Sequence, residues 1–336
     1  MTGPSRPARA AGGPAGTGAP PAAGAGAGRR LEVRLGPLTL KNPVVTAAGT
    51  SGYGREAAAF YPLDRLGAVT VKGLSLEPWP GNPPPRAVET PAGMLNAIGL
   101  QNPGVDHFLA RDLPWLRRFE VPVIANVVGK TVDEYVEVAR RLDAAGVDAL
   151  ELNLSCPNVK AGGLEFGRDP QVAASLVRAV RRVTRRPLLV KLSPEGGRLL
   201  EVAAAVMEAG AGGLSLINTL RGAAVDVDAE RPVLATVGGG LSGPAIRPVA
   251  VYWIWEVYRH LRAPILGMGG VVLGRDAAEL MLAGATAVAV GTAALADPLA
   301  PVRVLEELEA ILAAKGLAAA QLVGRAHGRT RGEEPA

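Results

Sequence analysis

The chain has 336 residues, 48% of them apolar, 4% aromatic and one a cysteine. That length and composition suit one α/β barrel with insertions and a core of Val, Leu, Ala and Ile. A single cysteine excludes intramolecular disulfides and any four-cysteine zinc or iron–sulfur site built by this chain alone, which suits a reducing cytoplasm. The net charge is +5, but residues 1–30 hold Arg6, Arg9, Arg29 and Arg30 and no acid, leaving +1 for the rest. A near-neutral body argues against a nucleic-acid surface, and no apolar run is long enough to cross a bilayer.

In chain order, residues 1–30 are Gly, Ala and Pro with scattered Arg. They cannot bury a core and are expected to be disordered; prolines and glycines break the apolar run a secretory signal needs. Residues 31–324 are expected to form the folded domain, and residues 325–336 a polar C-terminal tail. Within the domain eight strand-like runs stand out: Pro43–Gly49, Ala68–Leu74, Pro122–Val128, Ala149–Ser155, Pro187–Ser193, Gly213–Thr219, Pro264–Val271 and Ala287–Ala293. Helical patterns separate the later ones. Thr131 precedes a run from Val132 to Ala145, with Glu134 at capping-box spacing; the others are Pro170–Arg182, Arg198–Ala209, Gly243–Leu261, Asp276–Ala283 and Pro301–Ala314. Eight strands alternating with helices predict a (β/α)8 TIM barrel. A doubly wound sheet lacks support, because no G-x-G-x-x-G follows a strand and opens a helix. Residues 75–104, rich in Pro, Gly and Asn, interrupt the rhythm after strand two. They read as an inserted loop region lying over the C-terminal mouth.

Polar residues gather at the strand ends: Lys72, Asn126, Asn153, Lys191, Asn218 and Thr219. Barrel interiors are normally filled with branched apolar side chains, so amides and ammoniums there need partners. Any one asparagine could be satisfied by a neighbour or a buried water; two lysines and several amides converging on one mouth point to a bound polar ligand. Residues 150–155 alternate strictly, Leu150, Leu152 and Leu154 on one face and Glu151, Asn153 and Ser155 on the other. Cys156 follows at the strand end, before Pro157, where a thiol beside inward asparagines reads as a general base over a planar ligand. Strands seven and eight end in Gly267–Gly270 and Val290–Ala293, where barrels often bind phosphate. Gly238–Gly240 and Leu241–Pro244 add a third wall. A flat, phosphate-bearing cofactor with Lys191 near its ring fits FMN.

The stretches Asn42-Pro43, Gly49-Thr50, Gly81-Asn82-Pro83, Pro85-Arg86, Met94–Gly104 and Asn153–Asn158 resemble class 1 dihydroorotate dehydrogenases. The wording from Glu89 to Asn102 is most similar to the catalytic, FMN-binding subunit of the 1B subclass. The resemblance runs from about Leu31 to Ala314. It implies oxidation of dihydroorotate to orotate in pyrimidine synthesis, hydride leaving C6 for flavin N5 while Cys156 removes the C5 proton. A thiol titrates near ~8.5 when unperturbed, so it can serve without a histidine partner. By the same resemblance Lys72, Asn96, Ala97, Ile98, Gly99, Leu100, Asn153, Asn218 and Thr219 hold substrate. Ala48, Lys72, Gly73, Asn126, Asn153, Lys191, Ile217, Gly243, Gly269, Gly270, Gly291 and Thr292 match flavin-contacting positions. Ala48 stands where many relatives carry serine, so only its backbone can contact flavin.

The 1B enzymes pass electrons through a partner subunit carrying FAD and a [2Fe–2S] cluster to NAD. The resemblance therefore implies such a partner, in a heterotetramer around a homodimer of this chain, and neither nucleic acid nor membrane as a partner. Fumarate-dependent oxidation of the 1A kind is the alternative if the chain acts alone. Other readings are a dihydropyrimidine dehydrogenase-like barrel, which shares the Asn…Ser-Cys-Pro run, a tRNA dihydrouridine synthase, and a non-enzymatic binding barrel. The loop 94–104, the near-neutral body and the retained Cys156 and lysines argue against these in turn. His107, His260 and His327 fall outside the strand ends and read as structural or exposed.

Overall fold

The structure, a computed structural model, describes residues 30–154 and 166–328. Ser155 and Cys156 lie outside the described residues, as do the N-terminal tail through Arg29 and the chain from Arg329 onward.

Eight parallel strands form the barrel wall: β1 (Val44–Thr46), β2 (Val69–Thr70), β3 (Val123–Val127), β4 (Ala149–Asn153), β5 (Leu188–Leu192), β6 (Gly213–Leu216), β7 (Ile265–Met268) and β8 (Ala287–Val290). Each neighbours its successor in sequence, and β8 pairs with β1. A parallel bridge from Val45 to Ala68 joins β1 to β2 and closes the ring. All eight lie within the predicted runs. They are shorter because a strand is bounded by its ladder bonds, whereas the apolar run continues into the loops that build the site. The last predicted run also stops early: Thr292 opens a short helix, Thr292–Ala296.

Strand side chains are buried on both faces, as expected when helices cover a parallel sheet. In β4 all five residues are buried, Glu151 included. The alternation seen in the sequence separates a helix-facing apolar side from a polar side turned into the barrel. The helices Val132–Ala145, Pro170–Arg181, Leu199–Glu208, Arg247–Leu261, Gly274–Ala283 and Ala300–Ala314 supply the outer layer. Thr131 caps the first through the Glu134 N–H, while the Glu134 carboxylate accepts from the Lys130 N–H. Asp169 caps the second through two N–H groups. A 3₁₀ turn at Pro244–Ile246 precedes the fourth helix, so its regular part begins later than the sequence pattern predicts.

The insertion after β2 lies over the C-terminal mouth, but it is not wholly irregular. Ala87–Thr90 and Gly93–Asn96 form a hairpin. Its second strand pairs with Gly239–Ser242, which pairs in turn with Leu220–Gly222 from the loop after β6. The resulting antiparallel mouth sheet has its own small core of Leu95, Ala97 and Leu234. At the other end of the domain Arg325–Gly328, within the expected tail, form a 3₁₀ turn. His327 there stacks on Trp255 with ring centroids 3.7 Å apart.

Candidate functional site

Every strand of the barrel delivers its C-terminal end to one mouth, and the mouth sheet roofs it. Between them lies a cavity of about 560 Å³, within the size range of small-molecule sites. Each candidate residue that is described lines it: Lys72, Asn96 through Leu100, Asn153, Asn218 and Thr219, together with Ala48, Gly73, Asn126, Lys191, Ile217, Gly243, Gly269, Gly270, Gly291 and Thr292. Thus segments more than 200 residues apart in sequence meet around one space. Cys156 lies outside the described residues. None of the three histidines lines the cavity.

Register explains the inward polar set. Residues paired across parallel strands share a face, and Asn126 pairs with Glu151 while Lys191 of β5 pairs with Asn153 of β4 on one side and Ser215 of β6 on the other. Lys191 is only 6% exposed, and none of the described residues gives its ammonium a hydrogen-bond or ion-pair partner. An ammonium opening on a cavity with no protein partner among the described residues calls for an electron-rich ligand. Asn153 is held from behind, its carbonyl accepting the Tyr135 hydroxyl at 2.8 Å.

Lys72 brings a second cation to the opposite side of the mouth. Burial lowers its pKa below the usual lysine value; the Arg86 guanidinium lowers it further, and Glu56 acts the other way. Arg86 itself is committed to the insertion, donating to the Asn82 carbonyl, to Gln101 Oε1 at 2.6 Å and to the Pro80 carbonyl at 3.1 Å. It thereby fixes the loop whose residues 96–100 line the cavity. An ammonium of lowered pKa beside a second cation favours an anionic ligand, whose charge would raise that pKa again.

The glycine corner has a different chemistry. Gly243 and Gly270 have φ of +94° and +77°. A Cβ on Gly243 would lie 2.6 Å from the Gly93 Cα, and one on Gly270 2.6 Å from the Arg247 Cβ. Backbone therefore reaches the cavity where no side chain fits. Arg247 pairs with Asp276 at 2.7 Å and Glu279 at 3.0 Å, so its charge is already matched. The corner offers backbone and the hydroxyls of Ser242 and Thr292, which are 2.8 Å apart, as suits a phosphate.

Sequence reasoning passed over four residues here. Glu195 and Arg221 line the rim, the Arg221 N–H donating to the Glu195 carboxylate. Ser242 was seen only as part of a loop wall. Glu151 lies beneath the site, and its place on the same strand face as Asn153 was the available signal.

The chain is similar to known proteins over most of its length. A family model described as dihydroorotate dehydrogenase matches residues 30–312. A relative from Trichlorobacter lovleyi, named dihydroorotate dehydrogenase B (NAD(+)), catalytic subunit, is 53% identical over 89% of this chain and 99% of its own. Relatives of the same name from Geobacter sulfurreducens and Desulforudis audaxviator are also 53% identical, covering 86% and 90% of this chain and 95% and 99% of theirs. Among solved structures, the DHODH of Eimeria tenella in complex with ferulenol superposes with a TM-score of 0.73 at 26% identity, covering 89% of both chains.

Proposed function

Because the chain belongs to the dihydroorotate dehydrogenase family, we propose that it is the catalytic subunit of an NAD-linked enzyme that oxidises dihydroorotate to orotate in pyrimidine synthesis. The observation that carries this reading is the cavity at the barrel mouth. It joins a buried lysine with no partner among the described residues, a second lysine of lowered pKa and a glycine corner. That donor set fits FMN: Lys191 against the electron-rich edge of a flat ring, and Gly243, Gly269, Gly270, Gly291 and Thr292 around its phosphate. Asn126, Gly73, Ile217 and the Ala48 backbone complete the binding surface. FMN, when bound, accepts the hydride that leaves substrate C6.

The rest of the chemistry belongs to the chain. Lys72 places positive charge for the substrate carboxylate, with the backbone N–H groups of Ala97–Leu100 beside it. Asn96, Asn153, Asn218 and Thr219 orient the ring amides. Cys156 removes the C5 proton, so loss of that proton together with the C6 hydride forms the C5=C6 double bond.

Electrons leave by another route. The relatives are named catalytic subunits, which supports a separate partner. We assign FAD, the [2Fe–2S] cluster and the NAD site to it, within a cytoplasmic heterotetramer around a homodimer of this chain. One observation supports this: the chain has a single cysteine, too few thiolates to hold a [2Fe–2S] cluster by itself. No helix among them is long and apolar enough to cross a membrane.

Anaerobic addition of dihydroorotate to the purified yellow chain tests the reading. Bleaching of the flavin band is expected, with NAD reduced only once the partner is added. A yellow protein that stays oxidised would sink the substrate assignment. Cys156→Ala should retain FMN yet slow bleaching by ~10²–10⁴-fold, the contribution of a positioned base; wild-type speed would remove Cys156 from that role.

A further inference from the structure

Glu151 carries a carboxyl side chain with no exposure, inside the barrel and below the cavity floor. A buried carboxylate is tolerated only where donors reach it. Two do: Asn126 Nδ2 donates to Oε1 at 2.7 Å and Ser215 Oγ donates to Oε2 at 2.6 Å. Asn126 comes from the adjacent strand β3, and Ser215 from β6, with β5 between. The carboxylate therefore spans the interior beneath Lys191.

The consequence concerns the other end of the Asn126 amide. An amide presents a donor at one end and an acceptor at the other, and nothing in its shape decides which way it turns. The Glu151 Oε1, accepting from Nδ2 at 2.7 Å, decides it. With Nδ2 bound to Glu151, Oδ1 must face away, and it does so toward Gly73, where an added Cβ would lie 3.2 Å from it. Both Asn126 and Gly73 line the cavity.

We propose that Glu151 is a positioning residue that sets the polarity of the cavity floor: by holding Asn126 Nδ2, it presents Oδ1 as an acceptor to an N–H of the bound planar ring. The inference rests on the FMN reading given above. Glutamine at position 151 would have both a donor and an acceptor, so the Asn126 amide could turn and offer N–H to an N–H.

The test is FMN affinity of the apoprotein, measured by quenching of flavin fluorescence, with no turnover involved. Wild type must bind FMN; failure there sinks the cofactor reading and this inference together. Given wild-type binding, Glu151→Gln should weaken it about tenfold or more, the scale of one misdirected hydrogen bond. In an Asn126→Ala background the same change should cost less than about threefold, because a residue acting through Asn126 has nothing left to act on. Glu151→Gln binding within about threefold of wild type, or losing the same factor in both backgrounds, would overturn the proposal. Should Glu151→Gln not fold, Asn126→Asp answers the question at pH 6. Two adjacent carboxyls then share a proton, the introduced carboxyl donates its O–H to Glu151, and its carbonyl faces the ring. Asn126→Asp should recover at least about threefold of the affinity that Asn126→Ala loses, and no recovery would overturn the proposal.

Discussion

The barrel wall and the mouth sheet solve the same problem with unequal means. The wall closes on itself and is buried on both faces, so β3, β4 and β5 consist entirely of buried residues. The mouth sheet has four short strands, and beneath them, among the described residues, Leu95, Ala97 and Leu234 form a small buried cluster. It is assembled from segments more than 100 residues apart, Gly93–Asn96 and Gly239–Ser242. Yet both regions line the same cavity. The wall supplies charge and amides at fixed positions, while the sheet supplies mostly backbone and small side chains. Stability is concentrated in the wall, so the mouth sheet can open at lower cost than the fold can unfold.

Truncation in each region separates the two. Leu150 is fully buried on β4, opposite in direction to Glu151. Leu150→Ala should cost about 2–5 kcal/mol, a large part of a typical stability of about 5–15 kcal/mol, and lower the midpoint of global thermal unfolding. Leu95→Ala removes one of three buried members of the mouth cluster. Its expected signature is local: faster amide exchange in residues 87–96 and 239–242 and a KM for dihydroorotate raised about tenfold, with the global midpoint little changed. Equal loss of global stability from both substitutions would show that sheet and wall unfold as one unit.

Charge offers a finer comparison, because Lys72 belongs to the wall and Arg86 to the insertion that carries the mouth sheet. Burial and then Arg86 lower the Lys72 pKa, so the folded apoprotein holds this proton less tightly than the unfolded chain. The cost is fully present below the lowered pKa and disappears as pH rises past the ordinary lysine value. Lys72→Met should therefore make the apoprotein more heat-stable at pH 7, with the gain shrinking toward pH 10.5, while weakening dihydroorotate binding tenfold or more, as loss of a charge-assisted bond would. Thermal melts from pH 7 to 10.5 check the first part. A destabilised variant at pH 7 would mean that Lys72 has a stabilising partner.

The same division decided what the sequence could reveal. Wall strands announce themselves by compact apolar runs, each ending in polar or glycine residues, and Lys72, Asn126, Asn153, Lys191, Asn218, Thr219 and the glycines after β7 and β8 were legible for that reason, whereas residues 96–100, and Gly243 as a flavin contact, were assigned only through the family resemblance. The Ala87–Asn96 hairpin was not: its strands have four residues each, too few for a period to register, and their partner lies in another insertion. Glu151 was seen as one polar residue in an alternating run. Its meaning comes from Asn126 and Ser215, which approach it only when β3 and β6 are placed around β4. The two lysines show the limit in another way, since position was readable but the effect of Arg86 on Lys72 depends on how the insertion folds back.

One hydrogen bond ties the regions together at the glycine corner. Thr292 Oγ1, just past β8, donates to Ser242 Oγ at the end of a mouth-sheet strand over 2.8 Å. Both residues are partly exposed to the cavity, so water can replace either partner and the net contribution is that of a single solvated bond, about 0.5–1.5 kcal/mol. Thr292→Val keeps the β-branched shape and deletes the donor. FMN affinity should fall only about two- to tenfold, and KM for dihydroorotate should rise by less than Leu95→Ala raises it, because the sheet keeps its ladder to Gly93–Asn96. A KM effect as large as that of Leu95→Ala would mean that the sheet is held over the mouth chiefly by this hydroxyl pair rather than by its own small core.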